Sequence, residues 1–458
     1  MICKLDGTDI GMNGTVQNTI AMRRHDIAGQ AQLALYDIIA MKQPELARLF
    51  EITLALNFSP ALDMAALNVA FKHTIADNPE LAAVFRVDDG GDLIVSRLPL
   101  DRFAVKVHDC MALDMERALA MVQGESETGF DPATGPLVTL DAFLLADSSC
   151  TILLKVSHLV ADGWAAELLV STLIQNYLEL PVDTPKATFE DFVDWEEELT
   201  SGGNGITQLE FWSNRLKQFG PRLAIGDNAG ASLQAGTGRC RYVLSADECL
   251  LVRSAAQRHG VSAYVFLLAA YVSAISKLTG SSLVTVRSNA ANRTMPGFDS
   301  IIGRLAQSSA LAFHVDANAS MAVLVRDVAT EVEKAQQHQG SFWWAFRKFL
   351  RENPEPRRPA LDQFHFQKWL AQATDGGAFA VLLNDPSSPP LALGDFTLTP
   401  VPLNRRAANR DFTTGYFESE ETIAVECLYK TAHVAPSTAE RLLATHRAIL
   451  LDAAASAR

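Results

Sequence analysis

The chain has 458 residues, 48% hydrophobic and 20% charged, which is typical of a globular protein large enough to form two cores. Its formal net charge of −14 argues against a nucleic-acid binder, because such binding depends on neutralising phosphates. Its six cysteines are scattered without C-x-x-C spacing, which argues against a zinc site or a disulfide framework and favours a reducing, cytoplasmic setting.

The N-terminal part predicts a tail followed by mixed secondary structure. Residues 1–26 are polar and contain several glycines, and we expect a loosely held tail without a secretory signal. Alternating apolar residues predict a strand over residues 51–58, and helical spacing predicts an amphipathic helix over residues 63–78. Further strands are expected within residues 93–107.

A strand-to-helix turn follows, and it carries the most distinctive residues of the chain. Two apolar, β-branched runs within residues 138–157, separated by an Asp-Ser-Ser turn, predict a β-hairpin. His158 comes directly after the hairpin, and Asp162 and Gly163 complete the pattern H-x-x-x-D-G. Because successive side chains of a strand point to opposite faces, His158 is expected to point away from Ser157. Apolar residues then recur at helical spacing, which predicts a helix after the glycine.

The second half predicts a further set of helices and strands. Residues 181–186 are expected to cross between two lobes. The longest apolar stretch, residues 261–275, is shorter than the ~20 residues of a membrane span and predicts a buried helix that ends before Gly280. A hairpin within residues 411–430 and a closing helix over residues 436–454 complete the predicted elements.

The H-x-x-x-D-G pattern has two interpretations. Asp-Gly before a helix is a common turn and helix cap, and His158 is then a hydrogen-bonded core histidine. In the functional interpretation, the imidazole titrates near neutrality and acts as a general base. The motif by itself leaves both interpretations open.

The motif and several segments in the same order resemble the condensation domains of nonribosomal peptide synthetases, within the chloramphenicol-acetyltransferase-like acyltransferases. That family carries H-H-x-x-x-D-G with a catalytic second histidine, and Ser157 stands here at the first position. Residues 189–195 resemble the family's Y-x-D-[FY]-A-V-W segment, and residues 288–294 resemble its strand and A-G-R loop. Residues 302–308 resemble I-G-x-F-V-N-T, with Arg304 as an unexplained departure.

Two N-terminal segments match the family more weakly. Residues 30–36 keep only the A-Q of S-x-A-Q-x-R-L-W, and residues 78–85 resemble R-H-E-x-L-R-T-x-F without its basic residues. The resemblance covers roughly residues 27–455. It implies an α/β (α+β) fold of two lobes arranged in a V around a central channel, with the N-terminal lobe at residues 27–184 and the C-terminal lobe at residues 185–458.

The resemblance also implies a reaction. An acyl group moves from a phosphopantetheine thioester on a carrier protein to an amine or hydroxyl, giving an amide or ester in nonribosomal peptide or hybrid polyketide biosynthesis. His158, Asp162 and Gly163 are the expected catalytic residues: His158 accepts the nucleophile's proton, and the backbone N–H of Gly163 faces the thioester oxygen. Asp162 is expected to hold the loop by pairing with Arg293. The other expected site residues support the motif or line the channel: Ser157, Trp164, Asn289, Gln307 and Ser308.

The partners follow from the same resemblance. An acyl or peptidyl carrier protein brings the donor, and no bound cofactor, metal, nucleic acid or membrane is expected. Basic clusters at residues 23–24, 347–351, 357–358 and 405–406 are candidate surfaces for an acidic carrier protein. No adenylation, carrier or thioesterase segment is recognisable, so we expect a free-standing condensation enzyme.

Two other functions remain open from the sequence. One is an acyltransferase of the same fold that uses coenzyme A. The other is a non-catalytic module that recruits carrier proteins; Ser157 and the weak first signature favour it, whereas the intact His158, Asp162 and Gly163 argue against it. Cyclisation and epimerisation fit less well, because the family's D-x-x-x-x-D replacement is absent and no epimerase-like segment lies beside Arg293.

Overall fold

The computed structural model describes most of the chain. The ranges are 28–42, 50–87, 93–225, 236–353, 360–368, 390–403, 408, 410–418 and 422–456, without the side chains of residues 37–42. The expected tail and the basic pairs at residues 23–24, 357–358 and 405–406 lie outside the described residues.

Strands and helices are interspersed along the chain. The strands are β1 Glu51–Ser59, β2 Ala83–Val87, β3 Leu93–Arg97, β4 Lys106–Asp109, β5 Val138–Leu144, β6 Cys150–Ser157, β7 Thr237–Val243, β8 Leu283–Ala290, β9 Gln307–His314, β10 Phe364–Lys368, β11 Leu391–Leu393, β12 Phe396–Pro400, β13 Phe412–Glu418 and β14 Ile423–Lys430. The helices are α1 Gln30–Lys42, α2 Met64–Asp77, α3 Met115–Ser126, α4 Gly163–Tyr177, α5 Phe189–Thr200, α6 Gly202–Leu216, α7 Ala246–Arg258, α8 Ala263–Thr279, α9 Met321–Gln337, α10 Phe342–Glu352 and α11 Pro436–Ser456.

The first sheet positions the H-x-x-x-D-G turn. Among the described residues its strand order is β11-β12-β1-β6-β5-β4, so β6 lies inside the sheet. Every residue of β6 is buried, because α2 and α4 cover one face of the sheet and α3 covers the other. The predicted β5–β6 hairpin is confirmed, with Val138 opposite Val156. This sheet therefore presents the end of β6 from a rigid, two-sided core.

The second sheet forms the other lobe. Its order within the described residues is β7-β14-β13-β10-β8-β9, and α7, α8, α9 and α11 form its helical layer. The predicted buried helix is confirmed as α8: the hydroxyl of Ser262 accepts a hydrogen bond from the N–H of Val265, and Gly280 ends the helix at φ +70°. No single helix in the described ranges has the length and hydropathy to cross a membrane, although the bent pair α7–α8 meets these criteria together.

The α/β architecture expected from the sequence is confirmed, but the predicted lobe boundary needs a correction. Strands β11 and β12 come late in the chain and nevertheless join the first sheet, where Leu398 pairs opposite Phe58 of β1. Residues 185–458 are therefore not one continuous lobe. The returning strands pair an edge of β1 that would otherwise be left open. Strands this short carry too little periodicity to reveal their sheet from sequence alone.

Candidate active site

The turn after β6 is held by its own backbone. The backbone N–H of His158 donates to the carbonyl of Phe50, 2.8 Å away, and the N–H groups of Val160 and Ala161 donate to the carbonyl of Ser157. The hydroxyl of Ser157 accepts a hydrogen bond from the N–H of Leu159 at 3.2 Å. Ser157 is buried and supports the turn from inside, on the side of the strand opposite His158. Its expected supporting role agrees with these contacts.

Two residues from the weakly matching N-terminal segments meet behind this turn. The side-chain amide of Gln32 donates to the carbonyl of Leu159 at 2.9 Å and to the carboxyl of Glu80. Gln32 and Glu80 are both buried. Burial raises the pKa of Glu80 to about 7, against the opposing effect of the Gln32 hydrogen bond. The sequence analysis did not predict that these two residues meet. The signal that it held was the A-Q that the first segment shares with the family and the Pro-Glu-Leu of the second segment.

Asp162 connects the two lobes. Its carboxylate accepts hydrogen bonds from both terminal nitrogens of Arg293, at 3.0 and 3.1 Å. It also accepts from the backbone N–H of Leu305 at 2.9 Å, of Ala306 at 2.7 Å, and of Ala165 at 2.9 Å, which caps α4. The side chains of Asp162 and Arg293 are each 2% exposed. Arg293 thus occupies the place expected for the partner of the aspartate.

These contacts define the role of Asp162. Burial alone would raise its pKa, but Arg293 and the backbone donors outweigh burial and hold the pKa of Asp162 below its usual value. No hydrogen bond joins its carboxylate to His158 within the described structure, because other donors occupy both oxygens. These contacts fit the structural role that the resemblance implies for Asp162: with Arg293 it holds the turn against the second lobe, and it stays a predicted positioning residue.

The next two residues complete the junction of the lobes. Gly163 is exposed at the first position of α4, and a side-chain carbon placed there would meet nothing within 4 Å. The space in front of its backbone is therefore open to a substrate. The indole N–H of Trp164 donates to the carbonyl of Asp299 at 3.0 Å, and Arg293 lies 5.4 Å above the Trp164 ring. Trp164 supports the same junction, as expected for a residue beside the motif.

His158 faces this junction with two competing neighbours. Its Nδ1 lies 3.1 Å from the carbonyl oxygen of Ala161 and 3.1 Å from Nη1 of Arg304. The carbonyl accepts only from a protonated Nδ1, whereas the guanidinium donates only to an unprotonated Nδ1. The two contacts therefore favour opposite tautomers of the imidazole. Only the contact with Ala161 leaves Nε2 free to accept a proton.

The electrostatics keep His158 neutral. Burial is the main cause that lowers its pKa to about 3, and the positive charge of Arg304 acts in the same direction. The imidazole is nevertheless partly exposed and not sealed in the core. A neutral imidazole in such a place has the protonation state that a general base needs.

The three residues expected to line the channel differ in their surroundings. Asn289 is exposed, and its side-chain amide donates to Gln367 at 2.8 Å. Gln307 and Ser308 are each 1% exposed. The Gln307 amide donates to Glu196 at 3.1 Å, and the Ser308 hydroxyl accepts from Arg287 at 2.6 Å. Both side chains therefore form internal hydrogen bonds, which polar residues at the start of a buried strand require. The prediction that Gln307 and Ser308 line the channel is corrected accordingly.

Comparison with known proteins identifies the family. The family model described as "Condensation domain" matches residues 40–458. Malpinin synthetase of Mortierella alpina is 26% identical over 88% of this chain, and surfactin synthase subunit 1 of Bacillus subtilis (strain 168) is 25% identical over 77%. The chain spans only 5% and 10% of the lengths of these two relatives.

Solved structures show the same fold. The condensation domain of the monacolin K polyketide synthase MokA matches with a TM-score of 0.77 at 15% identity, over 94% of this chain and 97% of that one. The SgcC5 protein of Streptomyces globisporus matches with a TM-score of 0.68 at 20% identity, over 89% of this chain and 93% of that one. Together with the family match over most of the sequence, these likenesses show that the chain belongs to the condensation-domain family, whose general reaction is the formation of amide or ester bonds.

Proposed function

We propose that this chain transfers an acyl group from a phosphopantetheine thioester on a carrier protein to an amine or hydroxyl, with His158 as the general base. The observation that carries the proposal is the partly accessible, neutral imidazole at the junction of the two lobes, held on a turn that Asp162 and Arg293 lock in place. A base in a restricted opening is suited to a reaction in which two substrates meet away from bulk water.

The chemistry uses the tautomer in which Nδ1–H of His158 donates to the carbonyl of Ala161. Nε2 then accepts the proton of the attacking amine or hydroxyl while its nitrogen or oxygen bonds to the thioester carbon. The backbone N–H of Gly163 is the candidate donor to the oxyanion that forms. The carbon–sulfur bond then breaks, and the pantetheine thiolate takes the proton back from His158. Bond formation, bond cleavage and proton transfer balance without a resident cofactor.

A second candidate function is a non-catalytic module that recruits carrier proteins. The contact between Arg304 and His158 is the observation that favours it. With Nδ1 accepting from Arg304, the neutral imidazole carries its proton on Nε2, and that nitrogen cannot act as a base. Whether Arg304 leaves this position in the working complex separates the two functions.

The test is a single-turnover transfer assay. A carrier protein loaded with a simple acyl group and the matching acyl-coenzyme A are each offered with a primary amine and with an alcohol. We expect transfer from the loaded carrier, and a decrease of roughly 10²- to 10⁴-fold for His158→Ala with the alcohol. His73→Ala is the matched control, because the side chain of His73 is 63% exposed on α2.

Three results would contradict the proposal. Equal rates from coenzyme A and from the carrier would indicate a coenzyme A-dependent acyltransferase. An unchanged rate in His158→Ala would show that the imidazole is not the base. Tight binding of the loaded carrier without turnover would indicate the recruitment module.

A further inference from the structure

Arg304 comes from the second lobe and is held beside His158 by the loop that carries it. The backbone N–H groups of Leu305 and Ala306, the two residues after it, donate to the carboxylate of Asp162 at 2.9 and 2.7 Å. Because Asp162 also caps α4 directly after the turn, one carboxylate fixes the backbone on both sides of the contact. The position of Arg304 next to the turn is therefore set by the main chain of both lobes.

Two more contacts fix the same loop. A side-chain carbon on Gly303 would come within 2.6 Å of the Phe189 ring, so the main chain passes close against α5. The side-chain amide of Asn292 donates to the carbonyl of Leu305 at 3.0 Å. A movement of Arg304 away from the turn is therefore a movement of its side chain, because its backbone is held on either side.

The guanidinium of Arg304 has few other attachments. Within the described part of the chain it forms no ion pair with a carboxylate, and its Nε is buried without a hydrogen-bond partner. Its Cζ lies 5.9 Å from the centre of the Trp343 ring, a contact that does not involve His158. Among the described residues, leaving His158 therefore costs this side chain one hydrogen bond, from Nη1 to Nδ1 at 3.1 Å.

The contact decides what the imidazole can do. While Nη1 of Arg304 donates to Nδ1 of His158, the neutral ring carries its proton on Nε2, which is then a donor and not a base. The carbonyl oxygen of Ala161, also 3.1 Å from Nδ1, favours the opposite tautomer, in which Nε2 accepts a proton. His158 thus lies between two partners that exclude each other, and the arginine side chain determines which of them it keeps.

We propose that Arg304 restrains His158 as long as no acceptor is bound, so that the base does not activate water against the thioester. The inference rests on the proposed function, which needs the tautomer that donates to Ala161. In the restrained tautomer Nε2 already carries a proton and cannot take one from water. Arg304 is therefore a positioning residue that gives the reaction its preference for the acceptor over water.

The step that Arg304 suppresses is hydrolysis of the loaded carrier. In this step the oxygen of water bonds to the thioester carbon while a proton passes to Nε2 of His158. The carbon–sulfur bond then breaks, and the pantetheine thiolate takes that proton. Without the guanidinium, the ring is free to donate from Nδ1–H to Ala161, so this side reaction becomes faster.

Nitrogen NMR of the whole ¹⁵N-histidine-labelled protein reads the tautomer without any turnover. At neutral pH we expect His158 to carry its proton on Nε2 in the wild type and on Nδ1 in Arg304→Met, which keeps an unbranched side chain but removes every donor. A wild-type imidazole already protonated on Nδ1 would overturn the proposal. So would an unchanged tautomer in a folded Arg304→Met.

Hydrolysis of an acetyl-loaded carrier protein without an acceptor measures the consequence. We expect it to be roughly 10- to 100-fold faster in Arg304→Met than in the wild type, because a charge-assisted hydrogen bond no longer holds the base. The increase should disappear in the double variant His158→Ala/Arg304→Met. The control Arg326→Met, which replaces a side chain that is 70% exposed, should hydrolyse the thioester at the wild-type rate. With an alcohol added, the wild type should form mainly ester, whereas Arg304→Met should form both ester and free acid.

The outcomes separate this inference from the proposed function. Unchanged or slower hydrolysis in a folded Arg304→Met, or an equal increase in Arg326→Met, overturns the inference, and transfer to the acceptor then leaves the proposed function standing. No transfer from any thioester, in the wild type or in Arg304→Met, overturns the proposed function even where the tautomer changes as expected. If Arg304→Met does not fold, Arg304→Gln replaces it, with a smaller increase expected because its amide still donates a hydrogen bond.

Discussion

The two sides of the H-x-x-x-D-G turn differ in how their charges are satisfied. On the inner side, Arg293 and Asp162 form a buried ion pair, and backbone N–H groups complete the hydrogen bonding of the carboxylate. On the outer side, within the described part of the chain, the guanidinium of Arg304 contacts the imidazole of His158 and lies 5.9 Å from the centre of the Trp343 ring, with no carboxylate in ion-pair contact. Both arginines belong to the connection between β8 and β9, so the difference does not come from the chain segment that carries them.

The difference indicates two roles for one residue type. A buried arginine with a complete set of partners holds the fold together, whereas the partly buried Arg304, beside an imidazole and without a carboxylate, is available to a ligand. The inner side therefore explains how the turn is held against the second lobe. The outer side is where the proposed reaction takes place.

Replacing each arginine by glutamine should give the largest contrast in the free energy of unfolding. Arg293→Gln leaves Asp162 buried without its ion pair, and we expect the free energy of unfolding to fall by ~3–5 kcal/mol. Arg304→Gln removes a charge that has no carboxylate partner, and we expect a change of less than ~1 kcal/mol. Urea unfolding measures both. Equal losses in the two variants would show that Arg304 is as structural as Arg293.

Gln32, which lies behind the turn, is expected to have a smaller effect on the free energy of unfolding. Gln32→Leu leaves the carbonyl of Leu159 and the carboxyl of Glu80 without their shared donor, so we expect unfolding to become easier by ~1–3 kcal/mol. Gln218→Leu, at an exposed position after α6, is the control and should change little. The same loss in both variants would mean that the Gln32 hydrogen bonds contribute nothing specific.

The pH dependence of stability tests the raised pKa values of two buried carboxyl groups, Glu80 and Glu196. Burial raises the pKa of Glu80 to about 7 and of Glu196 to about 8, above the ordinary value of 4.5 that unfolding restores. Both groups bind their protons more tightly in the folded state, so their contribution to stability is present at acidic pH and is lost as pH rises through about 7 to 8. In urea unfolding, Glu80→Gln should make the free energy of unfolding depend less on pH near pH 7. The exposed Glu198→Gln should leave this pH dependence unchanged. An identical curve for Glu80→Gln would contradict the raised pKa.

The sequence predicted those features that rest on long local patterns. The β5–β6 hairpin, α4 and α8 followed from apolar periodicity and caps, and the pairing of Asp162 with Arg293 followed from the family resemblance. Two other kinds of feature were not predictable in this way. β11 and β12 are too short to carry a periodic signal, and their sheet is decided by an edge that only the folded chain presents.

Contacts between distant positions were equally hidden. Gln32 and Glu80 meet behind the turn, although each stood in a segment that matched the family only weakly. Arg304 was visible as a departure from the family pattern, but its contact with His158 depends on how the second lobe meets the first.

The state of the His158 imidazole is the most direct test of this comparison. Nitrogen NMR of ¹⁵N-histidine-labelled protein, with His158→Gln to assign the signal, reports its protonation from about pH 5 to 8. We expect the wild-type imidazole to stay neutral across this range because its pKa is about 3, and the pKa to move upward in Arg304→Gln because a nearby positive charge is removed. A wild-type signal that titrates near pH 6.5 and does not respond to Arg304→Gln would contradict the account.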